Sequence, residues 1–226
     1  MPTLDVLRVF VNDDGEWGNP LGVFLDGGQV RESKRQGVAA ALGFSETVFV
    51  EDRAGGRLRI HTPTVELPFA GHPTVGAAWL LAREGSPVQT LQIPAGEVGV
   101  RNEGEDAYVV ARPEWAPRFE YRQLTTPAEI RDVDPAAVDV NTYAWAWVDE
   151  DAGTIRARCF APELGIAEDD ATGSAAIALC TRLGRRIAIH QGHGSVLQCR
   201  PLGDGTVELG GRTRLVESRP YREPDL

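Results

Sequence analysis

The alternation of hydrophobic and polar positions predicts short strands with a few helices between them. In the N-terminal half, strand patterns cover residues 4–11, 21–25, 47–50 and 58–61. Residues 30–42 are typical of an amphipathic helix that ends at Gly43, with Val38 and Leu42 on its inward face. The outward face of this helix is expected to carry the cations Arg31, Lys34 and Arg35.

A second helix, starting with residues 77–82, is apolar on every face, which indicates that other structure surrounds it. The C-terminal half repeats this order of elements. Strand patterns there cover residues 143–148, 154–160, 195–200, 205–210 and 212–217, and a helix of small residues covers 171–180. Two prolines in residues 112–118 interrupt the periodicity. The pattern predicts an α+β protein of two pseudo-equivalent lobes, with a cleft where the loops that start the two helices meet.

The predicted N-terminal lobe covers residues 1–112 and the predicted C-terminal lobe covers residues 113–217. The tail, residues 218–226, is a candidate to complete the N-terminal lobe.

Composition and charge restrict the partners of the chain. Of its 226 residues, 42% are hydrophobic and 25% are charged, which is ordinary for a globular protein with a core. The net charge of −10 argues against nucleic acid and anionic membranes as partners. Apolar runs stay well below the ~20 residues of a membrane helix, and a strand pattern begins at the N-terminus. We therefore expect a soluble, cytoplasmic protein without a signal peptide.

Several reaction chemistries are disfavoured by the residues that they require. Lys34 is the only lysine, and its charged surroundings argue against Schiff-base catalysis. Cys159, Cys180 and Cys199 form no CxxC pair, so neither a disulfide framework nor a structural zinc site is expected. The four histidines include no HExxH motif. We expect no metal and no cofactor.

The first loop with candidate chemistry precedes the apolar helix, at residues 68–77. Pro73 suits the first turn of a helix, where its missing N–H has no intrahelical partner. Gly71 allows a ligand to approach the backbone closely, and His72 lies beside the expected helix N-terminus. The alternative is that His72 is an ordinary loop histidine.

The second loop, residues 165–175, has the same relation to the helix of small residues. Three consecutive acids, Glu168, Asp169 and Asp170, precede the helix start at Thr172, Gly173 and Ser174. Simple N-capping is the alternative here, because acids and hydroxyls accept hydrogen bonds from the first N–H groups of a helix. Capping needs one such side chain rather than this whole set.

The two loops together predict a site for a small carboxylate. Each helix N-terminus offers free N–H groups and about half a positive charge. His72 and Asp169 would flank the bound acid, which suits removal of a proton beside a carboxylate without a cofactor.

Four ordered motifs carry a resemblance to a known family. They are Gly18-Asn19-Pro20-Leu21, Ser45-Glu46-Thr47-Val48-Phe49-Val50, Thr62-Pro63 with Glu66-Leu67-Pro68-Phe69-Ala70-Gly71-His72-Pro73, and Phe160-Ala161-Pro162 with Gly165-Ile166, Glu168-Asp169 and Ala171-Thr172-Gly173-Ser174-Ala175. These motifs span most of the chain, which resembles the phenazine-biosynthesis PhzF-like family on the diaminopimelate-epimerase fold.

The resemblance implies two similar lobes, each a curved antiparallel sheet or barrel around a central helix, with the active site between them. It implies a cofactor-independent isomerase like the one that isomerises trans-2,3-dihydro-3-hydroxyanthranilate, commonly a homodimer. Glu46 would carry the proton, and His72 and Asp169 would be its catalytic partners. The residues implied to bind the substrate are Asn19, Gly71, Gly173 and Ser174.

Some alternatives stay open at this point. Asp170 stands where the family usually has proline, and a later family stretch is shortened here to residues 191–195. Taken alone, Glu46 also fits an ordinary exposed acid at a strand edge. The chain could be an epimerase or racemase that uses acid and base groups other than thiols, since none of its cysteines lies in either loop. It could also be a non-catalytic protein that binds a small molecule.

Overall fold

The computed structural model describes residues 1–222, so the end of the predicted tail, residues 223–226, lies outside the described residues. The strands are β1 (Thr3–Val11), β2 (Asn19–Phe24), β3 (Thr47–Asp52), β4 (Arg57–His61), β5 (Glu66–Leu67), β6 (Thr90–Ile93), β7 (Gly96–Glu103), β8 (Asp106–Ala111), β9 (Glu120–Gln123), β10 (Thr142–Asp149), β11 (Thr154–Ala161), β12 (Ile166–Asp169), β13 (Ile187–Gln191), β14 (Ser195–Pro201) and β15 (Val207–Pro220). The α-helices are α1 (Glu32–Leu42), α2 (Gly71–Arg83), α3 (Pro127–Arg131) and α4 (Gly173–Leu183).

The chain divides into two compact units that are interleaved in sequence. Of the described residues, the first unit contains 1–9, 20–109 and 213–222, and the second contains 10–19 and 110–212. The division differs from contiguous lobes at 1–112 and 113–217, because residues 10–19 belong to the second unit. Hydrogen bonds explain this membership. Gly18 donates its N–H to Ser195 Oγ at 3.1 Å, and the Asn19 amide donates to Asp169 Oδ1 at 2.8 Å.

The first unit is built on a closed barrel of eight strands. Its strands follow the order β1, β2, β3, β4, β6, β7, β8 and β15, and an additional pairing between β1 and β15 closes the ring. The α+β architecture with a barrel is thus confirmed for this unit. The expectation of an antiparallel sheet or barrel holds only in part: β3–β4 and β6–β7 are antiparallel pairs, whereas β2 pairs with β3 and β4 with β6 in parallel. Parallel neighbours require crossover connections, and α1 and α2 lie in those connections.

Helix α2 lies among these strands and is buried from Gly71 to Leu81. A Cβ atom added at Gly76 would be 2.6 Å from Leu21 Cδ2 and 2.8 Å from Val9 Cγ2, so strands β1 and β2 contact the helix directly. This agrees with the prediction of a surrounded, apolar helix. The helix begins at Gly71, before the apolar stretch at residues 77–82, and Pro73 lies in its first turn as predicted.

Helix α1 ends as predicted, with Gly43 in the left-handed conformation at φ 69°. The outward placement of Arg35, however, is wrong. This residue is 5% exposed, and its guanidinium donates to Glu51 Oε1 at 2.6 Å and to the Val30 carbonyl at 3.3 Å. Helical periodicity alone could not find this cation's partner, because Glu51 lies on β3.

The second unit is a mixed sheet with one long helix, α4, packed against β14. Its strands follow the order β15, β14, β13, β11, β10 and β9, with β12 paired to β11. Strand β13 was not predicted, and the two strands predicted near 205–210 and 212–217 are the single strand β15. Gly211 lets β15 pass close to its neighbour, because a Cβ atom there would lie 2.8 Å from the Val196 carbonyl oxygen.

Among the described residues, no helix is both long and apolar enough to span a membrane.

The buried Arg35–Glu51 pair generates a stability prediction. Replacing Arg35 with Met leaves a largely buried carboxylate without its closest cation, so the free energy of unfolding should fall by about 2 kcal/mol or more. Lys34→Met is the matched control on the same helix, and it should change that free energy by no more than about 0.5 kcal/mol. Urea unfolding followed by circular dichroism measures both. Equal effects of the two substitutions would show that Arg35 is an ordinary surface cation.

Candidate active site

Glu46 immediately precedes strand β3 in the first unit, and its side chain is only 16% exposed. The alternative of an exposed strand-edge acid is therefore wrong. Burial raises the pKa of this carboxyl to about 7, against the opposing effect of a hydrogen bond with Ser45. A carboxyl that titrates near neutral pH can both accept and release a proton under working conditions.

His72 is the second residue of helix α2 and is 5% exposed at its side chain. Its Nε2 atom lies 3.4 Å from Glu46 Oε2, and both atoms are buried. The distance is longer than a tight hydrogen bond, as catalytic contacts often are before a substrate binds. The structure thus brings together two predicted site residues that are 26 positions apart in sequence.

The first turn of α2 supports the predicted anion site on this side. Gly71, its first residue, is buried. The N-cap position holds Ala70, which makes no side-chain hydrogen bond to the helix. The first backbone N–H groups of α2 are therefore not capped by that residue, which is the condition under which a helix N-terminus binds a carboxylate.

In the second unit, Asp169 ends strand β12 and has a side-chain donor on each carboxylate oxygen. Asn19 Nδ2 donates to Oδ1 at 2.8 Å, and Thr172 Oγ1 donates to Oδ2 at 2.5 Å. The same Asn19 nitrogen donates to the Ala171 carbonyl at 3.1 Å. Asn19 and Asp169, predicted separately as binding and catalytic residues, are thus direct partners.

Helix α4 begins shortly after Asp169. At its start, simple helix capping does not account for the role of the Thr172 hydroxyl. Thr172 is the N-cap residue, yet its side chain makes no capping hydrogen bond. Its hydroxyl is directed to Asp169 instead. Gly173, the first helical residue, is buried, and Ser174 is half-buried.

Sequence reasoning missed Gln191 as a member of this site. It is fully buried at the end of β13, and its amide contacts Thr172, Tyr143 and the backbone of Asp169. The sequence signal for Gln191 is its position as a polar residue at the end of the short segment Ile187-Ala188-Ile189-His190-Gln191, which has a strand-like pattern. That signal was not used, because β13 itself was not predicted.

A second missed feature is an aromatic stack beside the same loop. Trp17 has a positive φ of 63° and is 45% exposed. Its ring stacks on His193 with centroids 5.6 Å apart. The Nδ1 atom of His193 lies 3.5 Å from Asp170 Oδ1, so the acid that replaces the family's usual proline has a partner. A Cβ atom at Gly194 would lie 2.5 Å from Trp17, so the stack needs glycine there.

Within the residues that the structure describes, no group of three or more His, Cys, Asp and Glu side chains could hold a metal ion.

The raised pKa of Glu46 predicts a pH-dependent stability. In the folded protein this carboxyl keeps its proton up to about pH 7, and its ordinary value is 4.5. Between these values the folded state binds more protons than the unfolded state, so its contribution makes the protein less stable as pH rises. The cost is on the order of 3 kcal/mol above pH 7. Glu46→Gln should remove it, raising the free energy of unfolding at pH 8 relative to pH 4 when compared with the unmodified protein.

Glu51→Gln is the control with the opposite sign. Burial tends to raise the Glu51 pKa, but hydrogen bonding and charge from Arg35, together with Arg59, lower it overall. Its stabilisation is present above the ordinary pKa and is lost as pH falls through the lowered one. This variant should therefore lose more stability at pH 8 than at low pH. Parallel stability curves for the Glu46→Gln variant and the unmodified protein would contradict the buried-acid assignment.

Comparisons with known proteins identify the family of the chain. A family model described as "Phenazine biosynthesis-like protein" (PhzC-PhzF) matches residues 9–131 and 116–214. The trans-2,3-dihydro-3-hydroxyanthranilate isomerase of Pseudomonas aeruginosa is 31% identical over an alignment of 223 residues that covers 77% of each chain. An uncharacterized isomerase of the same species is 30% identical, with coverage of 89% of this chain and 92% of the relative.

A solved structure agrees at the level of the fold. A phenazine biosynthesis PhzC/PhzF protein from Clostridium difficile superposes with a TM-score of 0.80 at 20% identity, covering 99% of this chain and all of that one. The family match and these relatives show that the chain belongs to the phenazine biosynthesis-like PhzC–PhzF family and is an isomerase.

Proposed function

We propose that this isomerase moves a proton on a small carboxylate substrate by acid–base catalysis, without a cofactor, and that Glu46 carries the proton. The observation that carries the proposal is the burial of Glu46, whose pKa of about 7 allows it to alternate between base and acid near neutral pH. An acid with an ordinary pKa would be almost wholly ionised there and would return the proton poorly.

His72 supports this assignment from its position beside Glu46. An imidazole 3.4 Å from the carboxyl can exchange a proton with it or orient it toward the substrate. The backbone N–H groups at the start of α2, beginning at Gly71, are suited to the substrate carboxylate. In this proposal the first unit supplies the proton carrier and a carboxylate site.

The second unit contains the other residues to which we assign a role in the proposed reaction. Asp169 would be a catalytic partner that contacts the substrate, while Gly173 and Ser174 at the start of α4 would bind it. Asn19 would contribute through its hydrogen bond to Asp169. Support for this grouping comes from the ordered family motifs in which these residues lie.

We propose a substrate that carries an amino or hydroxyl group besides its carboxylate. The support is a relative with 31% identity that is named trans-2,3-dihydro-3-hydroxyanthranilate isomerase. Attraction of such an anion has to be local, since the net charge of −10 repels it at long range. That the protein works as a homodimer in the cytoplasm stays a prediction.

The test of the proton carrier is Glu46→Gln, assayed with the substrate that the unmodified protein turns over. Loss of the general acid–base group should lower kcat by about 10²- to 10⁴-fold. The dissociation constant of the substrate should change little, because the amide is close in size and shape to the carboxyl. Glu66→Gln, at an exposed acid on β5 of the same unit, is the matched control and should leave kcat unchanged. An unaltered kcat in the Glu46→Gln variant would overturn the assignment.

Deuterium exchange in D₂O, measured for the same variants, defines the reaction class. The unmodified protein is incubated with a panel of cyclic amino and hydroxy carboxylates, and deuterium incorporation is followed by mass spectrometry. We expect incorporation at a carbon beside the carboxylate or along a conjugated system, abolished by Glu46→Gln. Incorporation with inversion of a stereocentre would identify an epimerase instead. Binding of panel members without any exchange would favour the non-catalytic alternative.

A further inference from the structure

A connected set of hydrogen bonds links Tyr143 and Gln191 through Thr172 to Asp169 in the second unit, and the mechanism proposed above does not use it. Gln191 Nε2 donates to the Asp169 carbonyl and to Thr172 Oγ1, each at 2.9 Å. Gln191 Oε1 accepts from Tyr143 OH at 2.9 Å and from the Thr172 N–H at 3.1 Å. Gln191 and Tyr143 are completely buried, so these contacts are shielded from water.

The direction of every hydrogen bond in this set follows from its fixed partners. The Thr172 backbone N–H can only donate and the Asp169 carbonyl can only accept, so the orientation of the Gln191 amide is determined. Because Gln191 Nε2 is a donor, the Thr172 hydroxyl oxygen accepts from it. The single proton of Thr172 is then available for Asp169 Oδ2, at 2.5 Å.

The other oxygen of Asp169 is held in the same way. Asn19 Nδ2 donates to the Ala171 carbonyl, which fixes the Asn19 amide with its nitrogen toward Asp169. Both carboxylate oxygens therefore receive a hydrogen bond from a side chain that is itself oriented. Two donors on one carboxyl stabilise its charged form.

We propose that Thr172 and Gln191 are positioning residues that hold Asp169 as an ionised hydrogen-bond acceptor for an N–H or O–H group of the substrate. The part of this inference that concerns substrate rests on the proposed function, whereas the hydrogen-bond relay concerns the free protein. Gln191 acts through Thr172, and Thr172 acts through Asp169. Neither of the two is proposed to touch the reacting atoms.

The titratable neighbours of Asp169 are compatible with an ionised carboxylate. Cys159 faces it across the β11–β12 pair, and burial raises the pKa of that thiol far above neutral pH. Burial likewise raises the Tyr143 pKa, so both groups stay uncharged. Glu168, the preceding residue of β12, is paired with Arg158 at 2.7 Å, and Asp170, which follows the strand, lies near His193.

The consequence is a division of roles between two acids. Glu46 lies where burial favours its protonated form, and Asp169 lies where donors favour the ionised form. A pair of carboxyls separated in this way allows one to carry a proton while the other remains an anion. An ionised Asp169 calls for a hydrogen-bond donor on the substrate, which makes a plain carboxylate without such a donor a poor ligand.

The test removes the Thr172 hydroxyl without changing the shape of the side chain. In the substrate-free, full-length protein, the carboxyl carbons of aspartate are labelled with ¹³C, and the Asp169 resonance is assigned with Asp169→Asn. Thr172→Val should move the pH midpoint of that resonance upward by about one pH unit, because the charged form loses the hydrogen bond that Thr172 donates. Thr172→Ser keeps the hydroxyl, and its midpoint should stay within about 0.3 pH unit of the unmodified protein.

Thr172→Ala is the second variant without the hydroxyl, and it should shift the midpoint in the same direction as Thr172→Val. An unshifted midpoint in both would overturn the relay. So would a shift in Thr172→Ser as large as that in Thr172→Val, since a general structural disturbance would then be the cause. These measurements need no turnover, so they are independent of whether Glu46→Gln abolishes activity.

A binding comparison tests the substrate part of the inference. The probes are 2-aminobenzoate, which carries a donor beside its carboxylate, and benzoate, which does not. We expect the unmodified protein to bind 2-aminobenzoate about tenfold more tightly, the difference that one satisfied hydrogen bond to a charged group supplies. Thr172→Val should reduce this preference and Thr172→Ser should retain it. Equal affinities for the two probes in the unmodified protein would overturn the substrate role of Asp169.

Discussion

The burial of one carboxyl group, that of Glu46, is the constraint on which the proposed function depends. The group is placed at the start of β3 against the first turn of α2, where water is scarce and its pKa rises to about 7. This arrangement costs stability at neutral pH, because the ionised form is poorly solvated. Functional sites commonly retain such local costs, and the rest of the fold offsets them.

The barrel of the first unit provides that offset. Helix α2 is apolar and buried among strands, and His72 in its first turn lies beside Glu46. Tight contacts at Gly76 bring β1 and β2 against the helix. A helix on an open surface would leave Glu46 solvated, and its pKa would return toward the ordinary value.

In the second unit, the environment of Asp169 favours the ionised carboxylate rather than the protonated form. Asp169 receives hydrogen bonds from Asn19 and from Thr172, and the latter is oriented by the buried amide of Gln191. Neither Ala70 at the start of α2 nor Thr172 at the start of α4 makes a side-chain capping hydrogen bond to the first turn of its helix. The proposed reaction therefore uses one acid that changes its protonation state and one that does not.

Much of this architecture follows from local sequence signals. The end of α1 at Gly43 and the strands that became β3 and β4 were predicted from periodicity. The candidate catalytic residues were predicted because they are carboxylates and a histidine, which suit proton transfer, and because they lie in the family motifs. Interactions between distant segments could not be predicted in this way. The burial of Arg35 depends on Glu51 of β3, and the Gln191 relay depends on β13 lying beside β11.

The ionisation of Glu46 in the free protein can be measured by itself. Its side-chain carboxyl carbon can be labelled with ¹³C, assigned through Glu46→Gln, and titrated by NMR. We expect a pKa of about 7. A value at the ordinary glutamate level of about 4.3 would show a solvated acid and would contradict the proposal that burial makes this group the proton carrier.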